Sequence, residues 1–132
     1  MGHVHAGALG LMGMISFGAR YHMVGKLWKT EMYSTSLVGV HFWLALIGAV
    51  VYVVALWISA ITQGLMWRAY DEFGTLQYTF VESVSAMHPY MVMRMIGGLL
   101  YNLGTWVMLF NVVMTLRQVN ASRSTRPATA NA

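Results

Sequence analysis

Cysteine is absent from this 132-residue chain, which excludes disulfide frameworks, thiolate nucleophiles, c-type heme attachment and cysteine-ligated zinc or iron–sulfur centres within it. Charge is almost as scarce, since 9% of residues are Asp, Glu, Lys or Arg where soluble domains carry about 25%. With 58% hydrophobic residues, a water-soluble fold is not expected. Acidic residues number 4 and basic residues 8. The resulting net charge of +4 does not point to nucleic acid, because the basic residues are scattered at the edges of apolar runs and form no stripe. Histidine and methionine remain as the soft metal ligands.

What the chain does have is long apolar sequence. Residues 6–24, 38–61 and 91–116 each approach the roughly 20 residues needed to cross a bilayer core. The expectation is an all-α integral membrane protein of three transmembrane helices. The second run contains one charged or imidazole side chain, His41, and the third contains Arg94, while Arg20 and His22 lie near the end of the first. A secretory signal is not expected, because no basic stretch precedes the first run and no small-residue cleavage site leads into a polar domain. Residues 1–119 therefore read as one transmembrane unit. Residues 120–132, rich in Ser, Thr and Ala, read as a disordered tail.

Lysine and arginine set the expected orientation. Arg20, Lys26 and Lys29 follow the first run and Arg117, Arg123 and Arg126 follow the third, whereas the second loop holds Arg68 with Asp71, Glu72 and Glu82. The first loop and the C-terminus are thus expected to be cytoplasmic, in a multi-pass protein of the cell inner membrane. The N-terminus and residues 63–90 are expected on the opposite side, with Trp67, Tyr70, Tyr78 and Phe80 at headgroup level.

The head of the first run reads Gly2-His3-Val4-His5-Ala6-Gly7-Ala8-Leu9-Gly10. Each helical step turns about 100°, so residues two apart point to nearly opposite sides. His3 and His5 cannot chelate one ion, but each can offer an imidazole to a different partner. Two hemes flanking one helix would use them in this way, because each heme iron takes an axial donor from one face. The small residues that follow keep the helix thin enough for a flat macrocycle or a neighbouring helix. Spacing alone leaves open that both are merely interfacial histidines. The 12 methionines read as gap-filling side chains. Tyr52, Trp57 and Trp106 read as packing or lipid-facing residues. His41 is expected to make a hydrogen bond that fixes a loop or helix start, and Glu82 to be solvated. The spacing of His22 assigns it no chemistry.

A longer string carries a family resemblance: His3-Val4-His5-Ala6-Gly7-Ala8-Leu9-Gly10, Lys26-Leu27-Trp28, His41-Phe42-Trp43 with Gly48, Gln63-Gly64-Leu65-Met66-Trp67-Arg68, Phe80-Val81-Glu82, and Ala86-Met87-His88-Pro89-Tyr90 with Arg94 and Gly97-Gly98. In order and spacing, residues 2–117 resemble the last three helices of the twelve-helix catalytic subunit I of cbb3-type cytochrome c oxidases, members of the heme–copper oxidase family. The resemblance implies a proton-translocating terminal oxidase that takes electrons from c-type cytochrome and reduces dioxygen to water. It assigns His3 to the iron of a high-spin b-type heme and His5 to that of a low-spin b-type heme. Arg68, His88 and Arg94 become candidates for the heme propionates, which arginine matches in a two-point geometry.

The same resemblance places the copper ligands and the second ligand of the low-spin heme outside this chain. It implies as partners the remaining helices of the subunit, c-type cytochrome subunits and the lipid bilayer. The expectation is accordingly a C-terminal fragment that is inactive alone. Arg20, His22 and Gly25 depart from the family pattern, which bears on the end of the first helix and not on the histidine pair. Competing readings are a nitric oxide reductase, a small electron-transfer cytochrome b, and a non-catalytic packing fragment.

Overall fold

A computed structural model describes residues 2–124. It consists of helical rods, and among the described residues the only extended pairing is an isolated antiparallel bridge between Tyr70 and Leu76. The first rod is α-helical at Gly2–His5 (α1), π-helical at Ala6–Met12, and α-helical again at Gly13–Trp28 (α2). Two further helices follow, α3 at Thr35–Met66 and α4 at Phe80–Ser124. Both α3 and α4 are long and apolar enough to cross a membrane. The first rod is divided by its π-helical segment, and α2 has 16 residues.

The expected spans lie inside these helices, but several boundaries differ. The third was expected from residue 91, yet α4 begins at Phe80 because Thr79 and Glu82 form a capping box. Glu82 accepts from the Thr79 amide at 2.7 Å and from its hydroxyl at 2.9 Å, and the Thr79 hydroxyl accepts from the Glu82 amide at 3.3 Å. Pro89 then lies within the helix and does not end it. The interhelical loop is correspondingly shorter than the expected residues 63–90. At the other end α4 runs to Ser124, into the stretch expected to be disordered from residue 120. Arg126 and the remainder of that tail lie outside the described residues.

The antiparallel pair α3 and α4 forms the centre of the fold. Its seam carries His41, Ala45, Gly48, Ala55 and Ser59 from α3 and Gly97, Gly104, Met108, Asn111 and Thr115 from α4, all buried. Steps of three and four residues put each set on one helical stripe. A Cβ on Gly48 would lie 2.6 Å from the Tyr101 amide nitrogen, and one on Gly97 would lie 2.7 Å from that of Tyr52. The two backbones therefore touch directly, as small residues permit in membranes. The outward faces stay apolar, with Trp43, Ile47, Val50, Leu103, Trp106 and Phe110 all exposed, the pattern of helices solvated by lipid or by other helices.

Polar side chains lock the two ends. Asn111, 0% exposed, accepts from the Ser34 amide at 3.1 Å and donates to the Ser34 carbonyl at 2.9 Å. Thr115 accepts from the Tyr33 amide at 3.0 Å and donates to the Asn111 carbonyl at 2.8 Å. These bonds hold the segment between α2 and α3 against α4, and the Ser34 hydroxyl caps α3 by accepting from the Leu37 amide at 3.4 Å. At the opposite end, Ser59 donates to the Met87 sulfur at 3.1 Å.

Between α3 and α4, Asp71 organises the turn. Its carboxylate accepts from the amides of Phe73 at 3.0 Å and Thr75 at 2.8 Å and from the Thr75 hydroxyl. The Thr75 hydroxyl first, and these amides with it, hold the Asp71 carboxyl below the usual carboxylate range. A carboxyl depressed in the folded state stabilises the turn above its unfolded pKa, and the contribution disappears as pH falls through the lower folded value. The Phe73 and Thr75 amide resonances should therefore shift together with a midpoint below that of an ordinary aspartate, and Asp71→Asn should abolish the transition. A midpoint at the ordinary value would contradict the assignment.

Candidate cofactor-binding site

His3 and His5 both lie in α1, at the end of the first rod that meets the C-terminal half of α3. The His3 ring is exposed and stands 6.2 Å from the Trp57 ring, centroid to centroid, at an interplanar angle of 40°. The His5 ring is half-buried and stands 5.3 Å from that of Tyr52 at 36°. Tyr52 and Trp57 are five residues apart, about 7.5 Å of helix rise, so the two imidazoles meet α3 at different levels.

Immediately after His5 the π-helical segment opens on three small residues, Ala6, Gly7 and Ala8. Cβ atoms added at Gly7 and Gly10 would meet nothing within 4 Å. Beside it runs an apolar groove of about 490 Å³ lined by Ala6, Gly10, Met14, Leu46, Val50 and Val54, among others.

The donor set suits heme better than a chelated ion. Among the described residues no group of three or more His, Cys, Asp or Glu side chains is positioned to hold a metal. A heme asks the protein for one imidazole on a face and brings its remaining four donors itself. Single imidazoles beside a thin helix and an apolar groove fit that demand.

The antiparallel topology brings other candidates to the same end. Arg68 is exposed just after α3, with its amide bonded to the Leu65 carbonyl at 3.2 Å. His88 is exposed on α4 next to the buried Met87, and Arg94 is partly buried further along the same helix. None of these three has a side-chain hydrogen bond or ion pair among the described residues.

His41 lies elsewhere. It is 2% exposed, its Nδ1 is 3.0 Å from the Tyr21 hydroxyl, and the Phe17 ring meets it edge-on at 4.6 Å. It joins α3 to α2 and does not fix a loop. His22 is exposed on α2. Glu82 caps α4, a role that the spacing Thr79-x-x-Glu82 announces locally. Tyr52 and Trp57, read from sequence only as packing or lipid-facing, are the aromatics that face the two histidines. No local spacing signals that role, because it depends on how α3 passes the first rod.

Apolar outward surfaces and a small-residue helix seam define a helical membrane protein. The sequence profile of the family described as "Cytochrome C and Quinol oxidase polypeptide I" matches residues 1–100. A "Cytochrome c oxidase subunit 1 homolog" of Agrobacterium tumefaciens (strain T37) is 50% identical over 133 residues, 97% of this chain and 25% of the relative. A "Cbb3-type cytochrome c oxidase subunit CcoN1" of Stutzerimonas stutzeri is 51% identical over 124 residues, covering 93% of this chain and 26% of the relative. A "Cytochrome c oxidase subunit 1" of Rhodobacter capsulatus is 45% identical, covering 99% and 24%. The chain belongs to the cytochrome c oxidase subunit I family, and its relatives include the cbb3-type. It spans about a quarter of the length of these curated relatives.

Proposed function

We propose that this chain supplies axial histidines to two b-type hemes in the catalytic subunit of a cbb3-type, proton-translocating terminal oxidase, which takes electrons from a c-type cytochrome and reduces dioxygen to water. The observation that carries the reading is the His3-Val4-His5 turn, whose imidazoles meet Trp57 and Tyr52 separately, in a chain about half identical to oxidase subunits.

In this reading His3 serves the high-spin heme and His5 the low-spin heme. Trp57 and Tyr52 hold the two rings against rotation. Arg68, His88 and Arg94, gathered at the same end, bind propionates, with arginine best suited to the paired oxygens. When bound, the hemes would supply one-electron transfer for the reduction of dioxygen; copper would be held by ligands outside this chain. The first rod, α3 and α4 act as the last three spans of a twelve-helix subunit, with residues 1–119 as the membrane unit. Arg20, Lys26 and Lys29 around the end of α2, with Arg117, Arg123 and Arg126 toward the C-terminus, support a cytoplasmic C-terminus and a histidine end on the outer side of the inner membrane. The partners are the remaining helices, c-type cytochrome subunits and lipid.

In the intact oxidase, His5→Ala should abolish the low-spin heme absorption while His3→Ala should chiefly remove the carbon monoxide-binding, high-spin signal. Loss of the same signal in both variants, with the other spared, would rule out the two-heme assignment.

A further inference from the structure

We propose that Tyr101 is a positioning residue for the histidine-bearing turn: its hydroxyl, anchored at the α3–α4 crossing, holds Ala6–Met12 in its widened π-helical form and so sets the direction in which His3 and His5 leave the rod. This inference rests on the heme reading above.

The anchoring is tight. A Cβ on Gly48 would lie 2.6 Å from the Tyr101 nitrogen and 3.1 Å from its Cα, so the Tyr101 backbone sits where α3 and α4 touch. Its ring packs 5.6 Å from that of Phe17, against the buried cluster of Phe17, Ala45 and Met108. From there the hydroxyl reaches the first rod and donates to the Leu9 carbonyl at 3.4 Å.

That carbonyl is the one at which helix geometry changes. In an α-helix the Gly13 amide would donate to Leu9, four residues back. Here the Gly13 amide donates to the carbonyls of Ala8 and Gly10 instead, and the Leu9 carbonyl receives the Tyr101 hydroxyl. The same hydroxyl fills the space that a Cβ on Gly13 would occupy. Glycine at 13 and tyrosine at 101 thus fit as a pair, and the hydroxyl supplies a donor at the bond that α geometry would otherwise make.

The consequence for the histidines is angular. Each residue absorbed into a widened turn rotates everything beyond it by about 100° relative to regular α-helix. His3 and His5 lie directly beyond Ala6–Met12, so their orientation relative to α2 depends on that segment. The orientation of an axial imidazole in turn governs the anisotropy of a low-spin ferric heme.

The test uses Tyr101→Phe in the intact oxidase, which keeps the ring against Phe17 and removes only the hydroxyl. Heme content and assembly should match the parent. The carbonyl carbon resonance of isotopically labelled Leu9 should shift, and the electron paramagnetic resonance spectrum of the low-spin heme should change its g anisotropy. Gly13→Ala, whose methyl displaces the hydroxyl, should reproduce both changes. An unmoved Leu9 resonance in Tyr101→Phe would overturn the hydrogen bond. A moved Leu9 resonance with an unchanged heme spectrum would overturn the positioning role while leaving heme ligation intact. Retention of the low-spin heme in His5→Ala would instead defeat the heme reading, and the proposal would fall with it.

Discussion

Gly97→Leu is expected to force α3 and α4 apart and to leave the subunit folded only marginally, if at all. The first carbon of the new side chain would lie 2.7 Å from the Tyr52 amide nitrogen and 2.8 Å from the Gly48 carbonyl oxygen. Both obstacles are backbone, so no rotamer change can relieve the clash. Ordinary core overpacking costs about 1–3 kcal/mol, and with a helix in the way the cost should reach or exceed the upper figure. Spin labels on the exposed positions Ile47 and Leu103 should report a wider separation. The parent distance together with parent thermal stability would show that the seam tolerates side chains after all. Tyr52 also faces His5, so the displacement should disturb the histidine turn as well.

Asn111→Leu should release the segment that precedes α3. The amide side chain satisfies both backbone groups of Ser34, and leucine leaves them without those partners where Asn111 itself is fully buried. An unmet buried polar group costs about 1–3 kcal/mol; Ser34 is half-buried, so the pair of losses together should cost about that much. The Ser34 amide should exchange its hydrogen far faster, and proteases should gain access between α2 and α3. Asn111→Asp keeps the acceptor and loses the donor, so its effect should be smaller in protection of the Ser34 amide. Equal protection in the parent and in Asn111→Leu would refute the capture.

The cores of α3 and α4 were legible from sequence because an unbroken apolar run with few charges has few other solutions. The start of α4 is encoded in Thr79 and Glu82, but Glu82, Ser83, Ser85 and His88 interrupt apolar sequence before residue 91, so that stretch reads as loop. A capping box outweighs such composition because it satisfies the first amides of the helix directly. The widened segment at Ala6–Met12 could not be read locally. It goes with Tyr101, 92 residues from Leu9. The histidine pair stood out by spacing and family resemblance, whereas its neighbours Tyr52 and Trp57 look like any aromatic in a membrane helix until α3 is placed beside them. Asn111 and Thr115 carry the same lesson, since a polar residue in an apolar run shows that it has a partner without saying which.

The arrangement of those last two residues bears on how the protein is made. Thr115 satisfies the Tyr33 amide and Asn111 satisfies Ser34, at the very start of α3, although α4 leaves the ribosome after α3. Released singly, α4 would carry its asparagine and threonine into hydrocarbon while the start of α3 waited with bare amides. The short turn at Asp71 instead lets the two helices fold back on each other as a hairpin, with polar groups already matched and glycine surfaces already joined. Entered as such a pair, α3 and α4 would meet the lipid with these backbone and side-chain polar groups already satisfied.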